Sequence, residues 1–129
     1  MTASTPTAPL PRWGTVAALT VAAVAHIPVT PEHLREAPYM GWLFVAFTAI
    51  ALIAAVVLAV RGSAPAPFVL AGVLCAAAIG AYALTRLFAF PQLADDVGNW
   101  GDPLGLVSVI SEAAVVMLSV GAAMRLRRR

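Results

Sequence analysis

Charged residues are scarce in this chain. Asp, Glu, Lys and Arg make up 11% of its 129 residues, whereas about a quarter of the residues in a soluble domain are charged. Hydrophobic residues account for 61% of the chain, and the mean hydropathy is +0.90. This shortage of charge excludes an ordinary soluble domain and predicts a protein that resides in a lipid bilayer.

Cysteine is rare in this chain, and the common catalytic motifs are missing. The chain has one cysteine, Cys75, which excludes a disulfide framework, a C-x-x-C redox site and a thiolate metal centre. The patterns G-x-x-x-x-G-K, G-x-S-x-G and H-E-x-x-H do not occur. The sequence therefore assigns no catalytic residue, and an enzyme is the least favoured functional class.

Long apolar stretches are present instead. There are four, and each approaches the roughly 20 residues that a helix needs to cross the hydrocarbon core of a bilayer. They predict an all-α integral membrane four-helix bundle, with a transmembrane domain over residues 13–124. The predicted spans cover residues 13–29, 39–60, 68–90 and 104–124.

A short interfacial helix is predicted on the outer face, between the first two spans. Thr30, Pro31 and Glu32 are typical of a helix start: a capping hydroxyl, a proline at the first helical position and an acid in the first turn. Pro38 predicts the end of this helix. The same segment has a simpler interpretation, an ion-paired cap on a connecting turn, and this alternative stays open.

The arginines predict the orientation. Six of the eight basic residues precede the first span, follow the second or follow the fourth, and basic residues concentrate on the cytoplasmic side of a membrane. We expect a multi-pass protein of the cell (plasma) membrane with both termini cytoplasmic. Residues 1–12 are then a disordered tail and residues 125–129 a basic tail. Five of the six acidic residues fall in the two outer loops, which leaves Glu112 within a span.

One alternative concerns the N-terminus. Residues 23–25 read AVA, the small-x-small pattern of a secretory cleavage site. Cleavage there makes His26 the first residue, and a free amine beside an imidazole chelates copper. The long proline-rich start has a single arginine, and the apolar run continues past residue 25. Both features favour an uncleaved first span.

Polar side chains recur in the outer half of every predicted span. Glu112 lies about 12 Å below the outer boundary at 1.5 Å per residue, a depth at which an acid costs about 2.5–3.5 kcal/mol to insert. Such residues normally face the bundle interior. We expect an outward-opening ligand pocket, with Arg86 and Glu112 in direct or one-water reach of each other. Its predicted residues are His26, Thr48, Tyr82, Arg86, Ser108 and Glu112.

Two other interpretations of Arg86 remain open. Its long side chain can extend to the outer interface from a depth of one turn. Alternatively, Arg86 and Glu112 form an ion pair that only fixes the helix register.

A second hypothesis places a metal ion at the mouth of this pocket. His33 and Glu36 share a face of the predicted interfacial helix at a spacing of i, i+3, and His26 lies one helix away. Imidazole and carboxylate ligands suit a divalent ion such as Zn or Cu. The sequence thus allows a metal cofactor held by His26, His33 and Glu36, although this spacing is not an established zinc signature.

Three segments carry a resemblance to other proteins. They are PEHLREAPYMGWLF at 31–44, LTRLFAFP at 84–91 and GDPLGLVSVISEA at 101–113. Together they resemble a group of small four-span membrane proteins of actinobacteria. The resemblance implies a polytopic membrane protein and brings no assigned activity, catalytic residue or ligand.

Partners and function complete the expectations. The lipid bilayer is the expected surrounding, and nucleic acid is not an expected partner. Gly72, Ala76 and Gly80 give the third span a small face, which favours close helix contact within the chain, in a homodimer or in a larger membrane complex. The preferred function is binding or passing a proton, a metal cation or a small ligand. The alternative is a non-catalytic accessory or assembly subunit of a larger membrane complex.

Overall fold

The computed structural model describes residues 9–129, and side chains from residue 11 onward. This part of the chain contains five α-helices, one 3₁₀ turn at Ala94–Asp96 and no strand. Of the predicted disordered tail at residues 1–12, residues 1–8 lie outside the described residues, whereas residues 9–12 belong to the first helix. The α-helices are α1 Pro9–His26, α2 Thr30–Glu36, α3 Pro38–Arg61, α4 Pro65–Leu87 and α5 Pro103–Arg127.

Three to four segments are long and apolar enough to cross a membrane. They are α3, α4 and α5, together with α1 and α2 if that pair, bent by 45°, is taken as one broken span. Large apolar side chains are exposed on the outer surfaces of these helices, among them Ile53, Val73, Ile110 and Met117. Since water penalises so much exposed apolar surface, lipid is the solvent that suits this fold.

Small side chains allow the long helices to pack closely. α5 packs against α1 and α4, and α1 also packs against α3, whereas α3 and α4 touch each other less extensively. Alanine dominates the core, as expected where helices approach closely inside a membrane. The buried alanines of the main cluster are Ala22, Ala23, Ala51, Ala54, Ala55, Ala71, Ala122 and Ala123.

Arginine side chains gather at one end of the helices. The Nε of Arg12 donates a hydrogen bond to the carbonyl of Leu58 at 3.0 Å, and its Nη2 donates to the carbonyl of Ala59. These carbonyls lie in the last turn of α3, where intrahelical partners run out and a cation is favoured. Arg127 lies beside Pro65 at the start of α4. The start of α1 and the ends of α3 and α5 therefore form a basic end.

α2 folds back against α3 at the opposite end. A Cβ atom at Gly41 would lie 2.6 Å from the backbone N of Leu34, so the glycine permits backbone-to-backbone contact of the two helices. Thr30 does not cap α2 as predicted. It is the first residue of that helix, and its hydroxyl donates to the carbonyl of His26 at 2.6 Å, which ties α2 to the end of α1.

Loop 88–102 covers the same end and is anchored by hydrogen bonds. The Tyr39 hydroxyl donates to the carbonyl of Pro91 at 2.7 Å, and the Tyr82 hydroxyl donates to the carbonyl of Trp100 at 3.2 Å. The backbone N–H of Gly98, a residue with φ +77°, donates to the carbonyl of Arg86 at 2.9 Å. The loop is thus held in a fixed position beside the start of α3 and the end of α4.

The small face of α4 is divided between two environments. A Cβ atom at Gly72 would lie 3.3 Å from the Cβ of Ser119, so this glycine serves the contact between α4 and α5. Ala76 is exposed, and a Cβ at Gly80 would meet no atom within 4 Å. The predicted Gly72/Ala76/Gly80 face is therefore partly used within the chain, and a homodimer or a larger complex stays a prediction.

Candidate functional site

A cavity of about 540 Å³ opens at the end opposite the basic end. All five helices and loop 88–102 contribute to its wall. Each of the six acidic residues in the sequence lines it, together with both histidines. Within the described part of the chain, Arg86 is the one arginine in the wall. The six acids are Glu32, Glu36, Asp95, Asp96, Asp102 and Glu112.

Glu112 forms the floor of this cavity. It is 1% exposed and, with Ser108 and Ser119 at helical spacing on either side of it, lies on the buried face of α5. The Ser108 hydroxyl donates a hydrogen bond to Glu112 Oε1 at 2.6 Å. The same oxygen lies 4.0 Å from His26 Nε2, which is beyond hydrogen-bond length but close enough for direct electrostatic coupling.

The orientation of His26 follows from its other ring nitrogen. Nδ1 lies 2.8 Å from the carbonyl of Ala22, and a carbonyl can only accept, so the proton is assigned to Nδ1. Nε2 is therefore the nitrogen that faces Glu112, as a lone pair in the neutral ring or as a second N–H in the cation. The rings of Phe44 and Phe47 lie against the imidazole, with centroids at 4.9 and 4.5 Å, and fix its plane.

Arg86 lies higher in the wall and has a different partner from the predicted one. Its Nη1 lies 3.2 Å from Asp96 Oδ2 and donates to the Thr85 hydroxyl at 3.1 Å, while its guanidinium carbon lies 4.4 Å from the centre of the Tyr82 ring. Among the described residues the expected direct pair with Glu112 is not formed. The 3₁₀ turn places Asp96 beside the end of α4, so the loop carboxylate, and not Glu112, pairs with the guanidinium.

The remaining predicted pocket residues divide unevenly. Tyr82 and Ser108 line the cavity with His26, Arg86 and Glu112, whereas Thr48 does not. Successive residues of a helix are about 100° apart, and the cavity face of α3 carries Leu43 and Phe47. Thr48, one residue after Phe47, therefore points to a different side of α3 from the cavity. Within residues 11–129 its Oγ1 is buried with no hydrogen-bond partner.

The predicted metal site is not formed among the described residues. Residues 9–129 contain no group of three His, Cys, Asp or Glu side chains arranged to hold a metal ion, so His26, His33 and Glu36 do not form a ligand set. The Nδ1 atoms of both histidines are engaged with carbonyls of their own chain segments, those of Ala22 and Val29. Both imidazole rings pack against Phe44, and Glu36 is exposed at the mouth.

Several wall residues were not singled out from the sequence. The acids of loop 88–102 were used to infer orientation, and the loop was expected to roof the pocket, but none of its acids was named among the pocket residues. Asp102 is a further case. It precedes Pro103, a pairing typical of a helix start, and its carboxylate accepts a hydrogen bond from the Gly105 N–H at 2.9 Å.

The site can be described as a deep, acidic cavity in a helical protein suited to a membrane. Comparison of the chain with protein-family models, with curated proteins and with solved structures finds no match. The resemblance to small actinobacterial membrane proteins stays a prediction. Function is therefore argued from the cavity itself.

Proposed function

We propose that this chain is a four-span protein of the plasma membrane that binds a small organic cation in a cavity open to the outer face. One observation carries the proposal: all six acidic residues line one cavity of about 540 Å³, against a single arginine among the described wall residues. Its volume lies in the range typical of small-molecule sites, about 300–1,000 Å³. A bare proton or metal ion needs no such space.

Electrostatics favours a positively charged ligand. A cleft lined by charges of one sign, with walls of low dielectric constant, focuses the field and raises the local concentration of the opposite charge. Arg86 is already neutralised by Asp96 at 3.2 Å. The other five carboxyl groups have no arginine within ion-pair distance in the part of the chain that the structure describes. An anionic ligand would meet their repulsion.

The buried pair at the floor supports the same proposal. Ionisable groups inside a membrane protein are costly and typically mark ligand or ion pathways. Glu112 Oε1 accepts from Ser108 and faces His26, so the carboxyl group is held in one position. Phe44 and Phe47, whose rings pack against His26, also line the cavity, and aromatic rings attract cations through their π-systems. A cation that reaches the floor thus meets an oriented acceptor and an aromatic wall.

Charge segregation supports the topology in this proposal. The arginines Arg12, Arg61 and Arg127 lie at the end opposite the cavity. Basic residues flank spans on the cytoplasmic side. The cavity then opens on the outer face, both termini are cytoplasmic, and α2 lies along the outer surface between the first two spans.

A charge series of one molecular size tests the proposal. Benzylammonium, benzyl alcohol and benzoate are titrated into the purified chain in mild detergent, with binding measured by calorimetry. We expect benzylammonium to bind at least tenfold more tightly than the other two, a difference of about 1.4 kcal/mol. Glu112→Gln is expected to weaken benzylammonium binding about tenfold, because it removes the deepest carboxylate.

The matched control changes net charge at the opposite end. Ser63→Lys raises the net charge by one unit, as Glu112→Gln does, but it lies in the exposed connection between α3 and α4. Binding by this variant is expected to equal that of the original chain. Equal affinities for the three probes, or equal losses in the two variants, would refute a cation site.

A further inference from the structure

The cavity extends sideways between α3 and α4. Along α3 its wall runs as far as Ile50, about 18 Å from Pro38, and along α4 it runs to Leu74, about 20 Å from Leu87. On α5 the wall ends at Glu112, about 14 Å from the start of that helix. Beside the floor at Glu112, the cavity therefore has a side branch that is bounded by α3 and α4 and lined by apolar side chains.

Small and exposed residues keep this part open. On α4 the wall of this part consists of Leu74 and three alanines, Ala77, Ala78 and Ala81, of which Ala77 and Ala81 are exposed. On α3, Leu43 is 56% exposed and Ile50 44% exposed, although both line the cavity. A residue that is both in the wall and exposed on the outer surface lies at an opening. In a membrane this opening faces lipid hydrocarbon.

The helix pairing explains why the opening lies here. α3 and α4 are joined at the basic end by a connection of three residues, Gly62 to Ala64. They nevertheless touch less extensively than the other adjacent pairs of long helices. Two helices that are joined at one end and share so little contact leave a slot between them. We call the space between Leu43, Ile50, Leu74 and Ala77 the α3–α4 slot.

We infer that the cavity takes an amphipathic organic cation, an ammonium group on a single alkyl chain, with the chain in the α3–α4 slot. This inference rests on the cation site proposed above and adds the ligand class and its position. The ammonium group lies between the acidic mouth and Glu112. Carboxylates satisfy the charge, and the apolar slot accommodates a tail that is already soluble in the bilayer. The molecule enters from the outer leaflet without leaving hydrocarbon.

A photo-reactive amphiphile tests this geometry. Dodecylammonium with a diazirine at the end of its chain is added to the full chain in lipid nanodiscs and irradiated, and the labelled peptides are mapped by mass spectrometry. We expect labels on the slot segments of α3 and α4 and at least fivefold less labelling when unlabelled dodecylammonium competes. Dodecanoate with the same diazirine is expected to leave these segments unlabelled.

Two variants distinguish specific binding in the slot from non-specific labelling of helix surfaces that face lipid. Ala77→Phe fills the slot and is expected to reduce slot labelling at least fivefold. Ala76→Phe places the same side chain one residue away, at an exposed position outside the cavity wall, and is expected to label like the original chain. Gel-filtration profiles and melting curves establish that both variants fold. The competition experiment on the original chain needs no variant at all.

The outcomes distinguish the inference from the function on which it rests. Equal labelling of the two alanine variants, or equal labelling by dodecanoate, would overturn the slot even if benzylammonium still binds selectively. Loss of selectivity in the benzylammonium series would overturn the cation site itself. An aminolipid that copurifies with the original chain and is lost in Ala77→Phe supports a bilayer source for the same chemistry. Labelling without such a lipid supports a free amphiphile.

Discussion

The ion pair between loop 88–102 and α4 allows a quantitative prediction. Arg86 is 8% exposed and Asp96 is its one carboxylate partner among the described residues, at 3.2 Å. Asp96→Ala leaves a buried guanidinium with a hydroxyl contact and an aromatic face. Removing one partner of a fully buried pair costs about 3–5 kcal/mol. Because the Asp96 side chain is 26% exposed and water reaches it, we expect a smaller loss, about 2 kcal/mol.

Reversible unfolding in mixed micelles measures this loss. Stepwise addition of dodecyl sulfate, followed by far-ultraviolet circular dichroism, gives the free energy of unfolding for each variant. A loss of about 2 kcal/mol corresponds to a change of about 30-fold in the unfolding equilibrium. Asp95→Ala is the matched control, since that neighbouring acid is exposed and makes no contact with Arg86 among the described ion pairs. We expect it to change stability by less than about 0.5 kcal/mol.

A double-mutant cycle tests the physical reason. Arg86→Met removes the buried charge, so Asp96→Ala should cost little in that background, and the coupling free energy should exceed about 1 kcal/mol. Equal losses for Asp95→Ala and Asp96→Ala would contradict the argument. So would additive losses in the cycle, because they would mean that Arg86 does not depend on the loop carboxylate.

Three further predictions concern packing and capping, each measured by the same unfolding assay. Gly41→Ala forces a Cβ to within 2.6 Å of the Leu34 backbone and is expected to cost about 1–3 kcal/mol through overpacking; a neutral result would mean that α2 sits further from α3. Asp102→Ala removes the acceptor for the Gly105 N–H and is expected to lower the free energy of unfolding by about 1 kcal/mol. Asp102→Asn keeps an acceptor oxygen and should retain most of the original stability. Phe68→Ala empties a site that is 2% exposed. It should cost about 2 kcal/mol, less than in a soluble core, since the unfolded helix also lies in lipid.

Helix faces could be predicted from the sequence because periodicity decides them. Arg86, Ser108 and Glu112 were expected to face the bundle interior from their positions along the predicted spans, and the structure buries all three. The spacing of 3.6 residues per turn is a local property of the chain, so it needs no knowledge of the neighbours.

Partners across loops could not be predicted in the same way. Asp96 reaches Arg86 only because a 3₁₀ turn and a hydrogen bond from Gly98 fold the loop back, and these depend on backbone angles that the residue types do not determine. Thr30 was given a capping role by its neighbours in sequence. A capping hydroxyl accepts from a backbone N–H, whereas the Thr30 hydroxyl donates to the carbonyl of His26 at the end of α1, which sequence order alone does not reveal.

The same gap explains the error at Thr48. Counting residues gives its position along α3, but that position does not state which side of α3 faces the cavity. That side follows from the burial of Phe47 and Ala51, which becomes known once α3 is packed against α1. Counting residues could place polar side chains along each predicted span, whereas assigning each side chain to the cavity wall required the fold.

A bound molecule that leaves the cavity through its mouth passes loop 88–102, which lines that mouth. The carbonyls of Pro91 and Trp100 are held by tyrosine hydroxyls from α3 and α4, and Gly98 is held by the backbone of α4. A fixed rim of this kind limits the width of the mouth, so a ligand with an alkyl chain exchanges more readily through the proposed α3–α4 slot. Residence times should then depend on bilayer fluidity more than on the composition of the buffer.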